Sequence, residues 1–246
     1  MISFIVPAYN EERLLGQTLA SIHAAARALS RPYEIIVVDD GSTDATAEIA
    51  RHGGARVVPV RLRQIAGTRN AGARAAQGSI FIFVDADTLV PTGTLAAALD
   101  AVDRGAIGGG AMLRLDGRIR WHGRLLVLLV ATGMRLGRLA AGCFLFCTRS
   151  AFEAAGGFDE RLFATEEIAL SRTLARQGPM VILRETVETS GRKLRTHSVW
   201  EFARLLAALV GIGPRILRSR DRLELWYGSR RSDPHARVAT RTAYER

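Results

Sequence analysis

Short apolar runs alternate with stripes of apolar residues three or four apart through the first hundred residues of the chain. Ile2–Pro7, Glu34–Val38, Val57–Val60 and Ile80–Val84 are runs rich in β-branched and aromatic residues, as expected of strands buried on both faces. Leu15, Leu19, Ile22, Ala26 and Leu29 recur at spacings of 4, 3, 4 and 3, one apolar face of a helix. Asn10 is placed to N-cap that helix, with Glu11 and Glu12 in its first turn. Further helices are expected around Ala45 to Arg51 and from Ala66 to Gln77. The alternation continues through Leu99 and predicts an α/β fold, a mostly parallel central sheet with helices on both faces.

Past Leu99, Gly108–Leu113 predicts a strand whose missing side chains permit close approach to a ligand. Ala141–Thr148 and Met180–Leu183 predict two more strands, and Leu125–Met134 reads as a core helix. Ser150-Ala151-Phe152-Glu153 has capping-box spacing and opens a helix that Gly156-Gly157 ends. A helix from Glu166 to Gln177 stops at Gly178-Pro179. Three parts follow: one α/β domain over residues 1–198, a helical appendage over 199–228, and a basic tail expected to be disordered over 229–246.

Composition narrows the class. At 246 residues and 48% hydrophobic, the chain can bury a full core. Its net charge of +10 is carried by arginine, with Lys193 the only lysine. That skew fits either a base-composition bias or attraction to phosphate on a nucleotide, a nucleic acid or an anionic membrane. Cys143 and Cys147 have no His or Cys neighbour at metal-ligand spacing, which points to reduced thiols in a cytoplasmic protein rather than zinc. The N-terminus enters a strand pattern directly, so no cleaved signal peptide is expected. No uncharged apolar stretch reaches the roughly 18 residues of a membrane span.

The chemistry gathers at strand ends. Ser79–Val84 runs straight into Asp85-Ala86-Asp87, and ligands bind parallel sheets at the carboxyl ends of their strands. Two hard oxygen ligands there suit Mg²⁺ or Mn²⁺ shared with substrate phosphates. Taken alone, an Asp-x-Asp at that position reads first as solvated strand-end carboxylates. Asn10-Glu11 and Asp39-Asp40 end the first and second strands, so three acidic clusters converge on one rim if those strands are adjacent. Such a rim is costly without cations. Arg69 could supply one facing a diphosphate, or be a solvated helix arginine. The first strand-to-helix turn, Pro7-Ala8-Tyr9-Asn10-Glu11, has no glycine, and Gly108-Gly109-Gly110 comes far too late. A dinucleotide-binding Rossmann unit, and with it a cofactor-dependent dehydrogenase, is therefore not expected.

Joined in order, several weak pieces carry a strong resemblance. Ile5–Glu11, Val38–Asp44, Thr68–Gly72, Val84–Asp87, Gly156–Glu160 and Thr165–Leu170 together resemble the inverting family 2 glycosyltransferases, which share a GT-A type fold. The resemblance implies a catalytic domain using a nucleotide diphosphate sugar and a divalent metal, Mn²⁺ or Mg²⁺. It implies that the turn Pro7, Ala8, Tyr9 and Glu11, with Asp40, holds base and ribose, Asp39 lying close by. Arg69 would lie near the diphosphate, and Asp85, Ala86 and Asp87 would bind the ribose and the metal. Glu166-Glu167 stands where the family usually has Glu-Asp, which makes Glu167 the candidate general base. Its extra methylene moves the carboxylate by ~1.5 Å. The bland alternative is that both are first-turn helix carboxylates favouring the macrodipole.

The implied function is sugar transfer to a hydroxyl acceptor, with inversion. The rivals are an inactive nucleotide-sugar-binding protein of the same fold, a phosphatase built on Asp-x-Asp, and a basic nucleic-acid-binding protein. Thr88-Leu89 follows the second Asp, where the haloacid-dehalogenase-type phosphatases carry Gly-Thr. No nucleic-acid-binding motif is present, so nucleic acid is not the expected partner. The Gln-x-x-Arg-Trp motif of processive synthases is also absent, which favours single transfer. Arg192, Lys193, Arg195 and His197 form a basic cluster that could close over a diphosphate, meet a phosphorylated acceptor, or be a solvated loop. Val199, Trp200, Phe202, Leu205, Leu206 and Leu209 lie among Arg204, Arg215 and Arg218. That combination is expected of a segment on the inner face of a membrane with a lipid-linked acceptor, or of a core or dimer interface.

Overall fold

The computed structural model describes residues 1–117, 132, 133, 135, 137 and 139–196. The chain runs β1 (Ile2–Ala8), α1 (Leu15–Ala28), β2 (Tyr33–Asp39), α2 (Thr46–His52), β3 (Arg56–Pro59) and α3 (Ile65–Ala75). It continues through β4 (Ile80–Val84), β5 (Thr88–Leu89), α4 (Thr92–Asp103), β6 (Gly108–Leu115) and β7 (Phe144–Thr148). The last elements are α5 (Arg149–Ala154), α6 (Glu166–Gln177), β8 (Met180–Thr189) and α7 (Arg192–Thr196). Of the expected core helix Leu125–Met134 only residues 132 and 133 are described, and residues 197–246, with the appendage and tail, lie outside the described residues.

One eight-stranded sheet has the order β3-β2-β1-β4-β7-β6-β8-β5. The first four strands are parallel, as the sequence predicts. Beyond β4 the sheet is mixed: β7 runs antiparallel to both β4 and β6, β8 is parallel to β6, and β5 closes the edge antiparallel to β8. A buried run of apolar residues carries no sign of its direction, so its sequence pattern could not reveal this insertion.

The unbroken apolar strands serve two cores, one on each face. Phe4, Val6, Val37, Ile82, Val84, Phe144 and Phe146 pack with α1 and α4 residues on one face. Ile5, Ile36, Val38, Phe81, Phe83 and Leu145 pack with α3, α5 and α6 residues on the other. Each fully buried Phe or Ile contributes about 1.5–3 kcal/mol, so β1, β2 and β4 form the rigid base on which their C-terminal ends are held. Register sets those ends level: Ala8 pairs with Asp39, and Asp39 with Pro59.

Local expectations need three corrections. Asn10 does not cap α1; it has φ 50°, and α1 begins at Leu15 with Leu14 in the cap position and no side-chain cap. Glu11 and Glu12 therefore lie in the preceding loop. The cap of α5 is Thr148, whose hydroxyl accepts from Ala151 N, rather than Ser150. The glycines of β6 approach protein rather than ligand: a Cβ on Gly109 would collide with the Val181 carbonyl and the Phe146 ring.

Close approach also fixes Gly72. A Cβ there would overlap Ile5 Cγ2 and come within 2.8 Å of Val38 Cγ2, so α3 can lie on β1 and β2 only without a side chain at this point. Gly72→Val should cost about 1–3 kcal/mol by overpacking. Gly93, in the first turn of α4, has nothing within 4 Å of such a Cβ, and Gly93→Ala should be neutral or stabilising. Urea denaturation of the two variants checks both, and equal stabilities would refute the packing argument.

Candidate active site

The site is built from the loops that follow β1, β2, β3 and β4. The first two are laced together. Thr43 N donates to Asn10 Oδ1 at 2.8 Å, Asn10 N to Ser42 Oγ at 3.0 Å, and Glu11 N to Thr46 Oγ1 at 2.7 Å. The left-handed backbone of Asn10, which Asn tolerates better than most residues, turns its amide toward the second loop. Asn10 is thus a cross-link between loops.

Asp39 and Asp40 are adjacent but differently engaged. Asp40, 6% exposed, accepts from Leu62 N at 2.6 Å and Arg63 N at 2.8 Å through Oδ1. Its Oδ2 takes Gln64 N at 3.2 Å and the Thr68 hydroxyl at 3.0 Å. Three successive backbone donors on one carboxylate fix the β3–α3 loop. That loop carries Arg63 in a left-handed conformation with its guanidinium carbon 3.4 Å from the Tyr9 ring centroid. Asp39 engages only Oδ1 among the described residues, taking Ser42 N at 3.2 Å, and so has more capacity left for a ligand than Asp40. Pro7 and Ala8 are buried within β1, and the Ala8 carbonyl already accepts Asp40 N. Ala86 is buried too, its carbonyl taken by the Thr18 hydroxyl at 2.9 Å.

Beside them, a buried arginine joins three segments. Arg69 on α3, with its side chain 3% exposed, bonds Asp85 Oδ1 at 2.9 Å and Glu166 Oε1 at 2.6 Å. Its Nη2 also donates to the Gly142 carbonyl at 2.9 Å. Burial alone would lower the guanidinium's pKa, but the Asp85, Glu166 and Glu167 carboxylates together raise it. Nε is buried without a partner among the described residues. Arg69 is therefore a fixed internal cation. Glu167, the next residue on α6, is half-buried, and burial, reinforced by Glu166, pushes its pKa up to about 8 against the pull of Arg69. Thr165, which starts α6, has φ 64°, an unfavourable conformation for a β-branched residue. It fixes the direction in which the two glutamates leave the loop.

Asp87 faces a different cation. The Thr189 hydroxyl, on β8, is 3.4 Å from its Oδ1, and Arg192 Nη2 is 4.0 Å from its Oδ2. Arg192 also reaches Glu11 with two nitrogens, at 3.2 and 3.4 Å. The structure thus gathers the site carboxylates into two groups, Asp85 and Glu166 with neighbouring Glu167 around Arg69, and Glu11 and Asp87 around Arg192. Gly142, whose carbonyl accepts from Arg69, and Thr189, whose hydroxyl is near Asp87, belong to these groups although nothing in their local sequence marks them.

For a divalent ion, the available donors are the carboxylates of Asp85 and Asp87. Among the described residues no group of three or more His, Cys, Asp or Glu could hold an ion by itself. One or two carboxylates are what Mg²⁺ or Mn²⁺ uses when substrate phosphates complete its shell. The residues present fit an ion bound jointly with a phosphate-bearing ligand.

Known proteins share this architecture. The chain is 35% identical over 130 residues to an undecaprenyl-phosphate 4-deoxy-4-formamido-L-arabinose transferase of Edwardsiella ictaluri, covering 50% of this chain and 40% of that one. A Pseudomonas paraeruginosa protein of the same name is 33% identical over 155 residues, 59% of this chain and 46% of its own length. The chain therefore spans less than half the length of these curated relatives. Among solved structures, the mannosyltransferase PcManGT of Pyrobaculum calidifontis, in complex with GDP-Man and Mn²⁺, superposes with a TM-score of 0.62 at 24% identity, over 83% of this chain and 60% of that one. S. aureus TarS in complex with UDP-GlcNAc gives 0.57 at 19% identity, over 85% and 65%. At those identities the two structures bear on the fold alone, and the fold is that of GT-A glycosyltransferases. Residues 3–153, more than half of the chain, match the model of Glycosyl transferase family 2, and the chain belongs to that family.

Proposed function

We propose that this protein transfers a sugar from a nucleotide diphosphate sugar to a lipid-carried acceptor, in a single displacement with inversion. The observation that carries the reading is the line of carboxylates Asp39, Asp85 and Asp87 at the C-terminal ends of the parallel strands β2 and β4, with Arg69 tying Asp85 to Glu166, the neighbour of Glu167. Asp39 would take the base or ribose. Asp85 and Asp87 would hold a divalent ion together with the diphosphate, and Glu167 would stand on the acceptor side. The ion, when bound, supplies charge stabilisation for the departing diphosphate. Arg69 keeps Asp85 and the start of α6 in position from within, rather than reaching the diphosphate itself.

The acceptor decides what Glu167 does. A hydroxyl must lose a proton as its oxygen attacks, and a half-buried carboxylate with a raised pKa suits a general base. A second reading is favoured by the relatives, which are named for transfer to undecaprenyl phosphate. A phosphate monoester has its second pKa near 6, so its oxygen arrives mostly without a proton and needs no base. We place the acceptor at the inner face of a membrane, with residues 199–219, outside the described residues, as the docking segment. No helix among the described residues is long and apolar enough to cross a membrane.

Three outcomes follow for the donor, the acceptor and the surface. Asp87→Asn should remove Mn²⁺-dependent thermal stabilisation by nucleoside diphosphates while leaving the unliganded protein folded. Unchanged stabilisation would end the metal assignment. Glu167→Gln should keep donor binding and lose about 10²-fold or more in turnover if the acceptor is a hydroxyl. Turnover within a few-fold of wild type on a polyprenyl phosphate would instead establish the phosphate acceptor. In liposome flotation, the protein should bind anionic but not neutral vesicles, less at high salt, and lose binding when Trp200 and Phe202 become Ser. Failure to float at low salt would make the segment core or interface.

A further inference from the structure

Two arginines face the carboxylates of this site, and they are held in opposite ways. Arg69 is 3% exposed and makes contacts of 2.6 and 2.9 Å to Glu166 and Asp85. Arg192 is 23% exposed, bonds the 8%-exposed Glu11 at 3.2 and 3.4 Å, and stands 4.0 Å from the 19%-exposed Asp87. The Arg192–Asp87 pair, at 4.0 Å between partly exposed groups, gains little over separate hydration, so giving up Asp87 is cheap, while the contact to Glu11 keeps a buried carboxylate paired. Exchanging a partner of Arg69 would strand a buried charge.

The root of Arg192 is nevertheless fixed. Asp116, at the end of β6, accepts from Gly191 N at 2.7 Å and from Arg195 Nη1 at 2.8 Å. The Arg195 and Asp116 side chains are only 8% and 14% exposed. This buried clamp ties the start of α7 to β6 beside the rim, while the Arg192 side chain extends from it to Glu11, 181 residues away in sequence. A long side chain on an anchored base can change partner without moving the backbone.

We propose that Arg192 is an exchangeable counter-cation: it shields Glu11 and Asp87 in the empty site, yields Asp87 to the divalent ion, and turns to the diphosphate when the donor enters. The proposal rests on the donor-site reading given above. A guanidinium and a divalent ion cannot both neutralise Asp87 fully, so the ion alone competes with Arg192. Once a diphosphate is present, Arg192 has a better partner, since guanidinium binds phosphate oxygens by paired hydrogen bonds. Metal and nucleotide then each bind better in the presence of the other, as linkage requires.

The test is a set of titrations on the full chain, with Mn²⁺ followed by electron paramagnetic resonance and UDP or GDP by calorimetry. In Arg192→Gln, Mn²⁺ alone should bind about tenfold tighter than in wild type, and the diphosphate at saturating Mn²⁺ about tenfold weaker, within the span of ordinary coupling. Arg192→Lys should restore most of the diphosphate affinity. Glu11→Gln should shift Mn²⁺ binding the other way, to weaker, because Arg192 then leans on Asp87. General damage to the site would weaken every titration, so the opposite signs are diagnostic. If wild type binds diphosphate with Mn²⁺ but Arg192→Gln binds Mn²⁺ alone no tighter, the exchange is refuted and the donor site stands. If wild type binds neither UDP nor GDP with Mn²⁺, the donor-site reading and the exchange fall together.

Discussion

The guanidinium of Arg69 is the constraint on which the site depends. It is buried on α3, yet it bonds the strand end of β4 through Asp85, the turn before β7 through the Gly142 carbonyl, and the first turn of α6 through Glu166. Desolvating a charge this fully costs several kcal/mol, which close carboxylates must offset. Removing any one partner leaves the remainder of that cost uncompensated. The three segments are therefore locked together more firmly than their apolar packing alone would require. The Gly72 contact serves the same end from below, since it lets α3 sit low enough on β1 and β2 for Arg69 to reach all three.

Local signals made the central fold legible. Strands β2 and β4 carry apolar runs that lead straight into carboxylates, β1 is apolar but for Ser3, and α6 begins and ends at the residues that its charges and Gly178 mark. What lay hidden depends on separation in sequence. Nothing near Asp40 in sequence shows that Leu62, Arg63 and Gln64 supply donors to its carboxylate. Asn10 has the residue type of a cap, but its partner is Thr43, on a different loop. Arg192 was visible as one of a cluster of cations, and only folding pairs it with Glu11.

The same contrast bears on what kind of site this is. Carboxylates from three loops on one rim repel one another, and the fold meets that repulsion in two ways. Asp85 and Glu166 share a cation that the core holds in place, so their geometry is set before any ligand arrives. Glu11 and Asp87 share one that solvent reaches. Geometry is thus fixed in advance around Asp85 and Glu166, and left open to solvent around Glu11 and Asp87, which on the proposed reading puts preorganisation beside the base and adaptability where charged ligands enter.

Glu167, where the family usually has aspartate, fits this frame through its neighbour. A longer side chain at the start of α6 needs about one more bond length of room, and Gly142 lies opposite. A Cβ on Gly142 would be 3.5 Å from the Glu167 carboxyl carbon and 3.1 Å from Arg69 Nη2. A side chain there would touch the carboxylate at ordinary contact distance and press on the cation that orients its neighbour. The absence of a side chain at 142 leaves the glutamate its space while the carbonyl at 142 still bonds Arg69. On the proposed reading a glutamate at 167 is therefore compatible with a working site, its carboxyl sharing the space beside Gly142 with the guanidinium that orients Glu166.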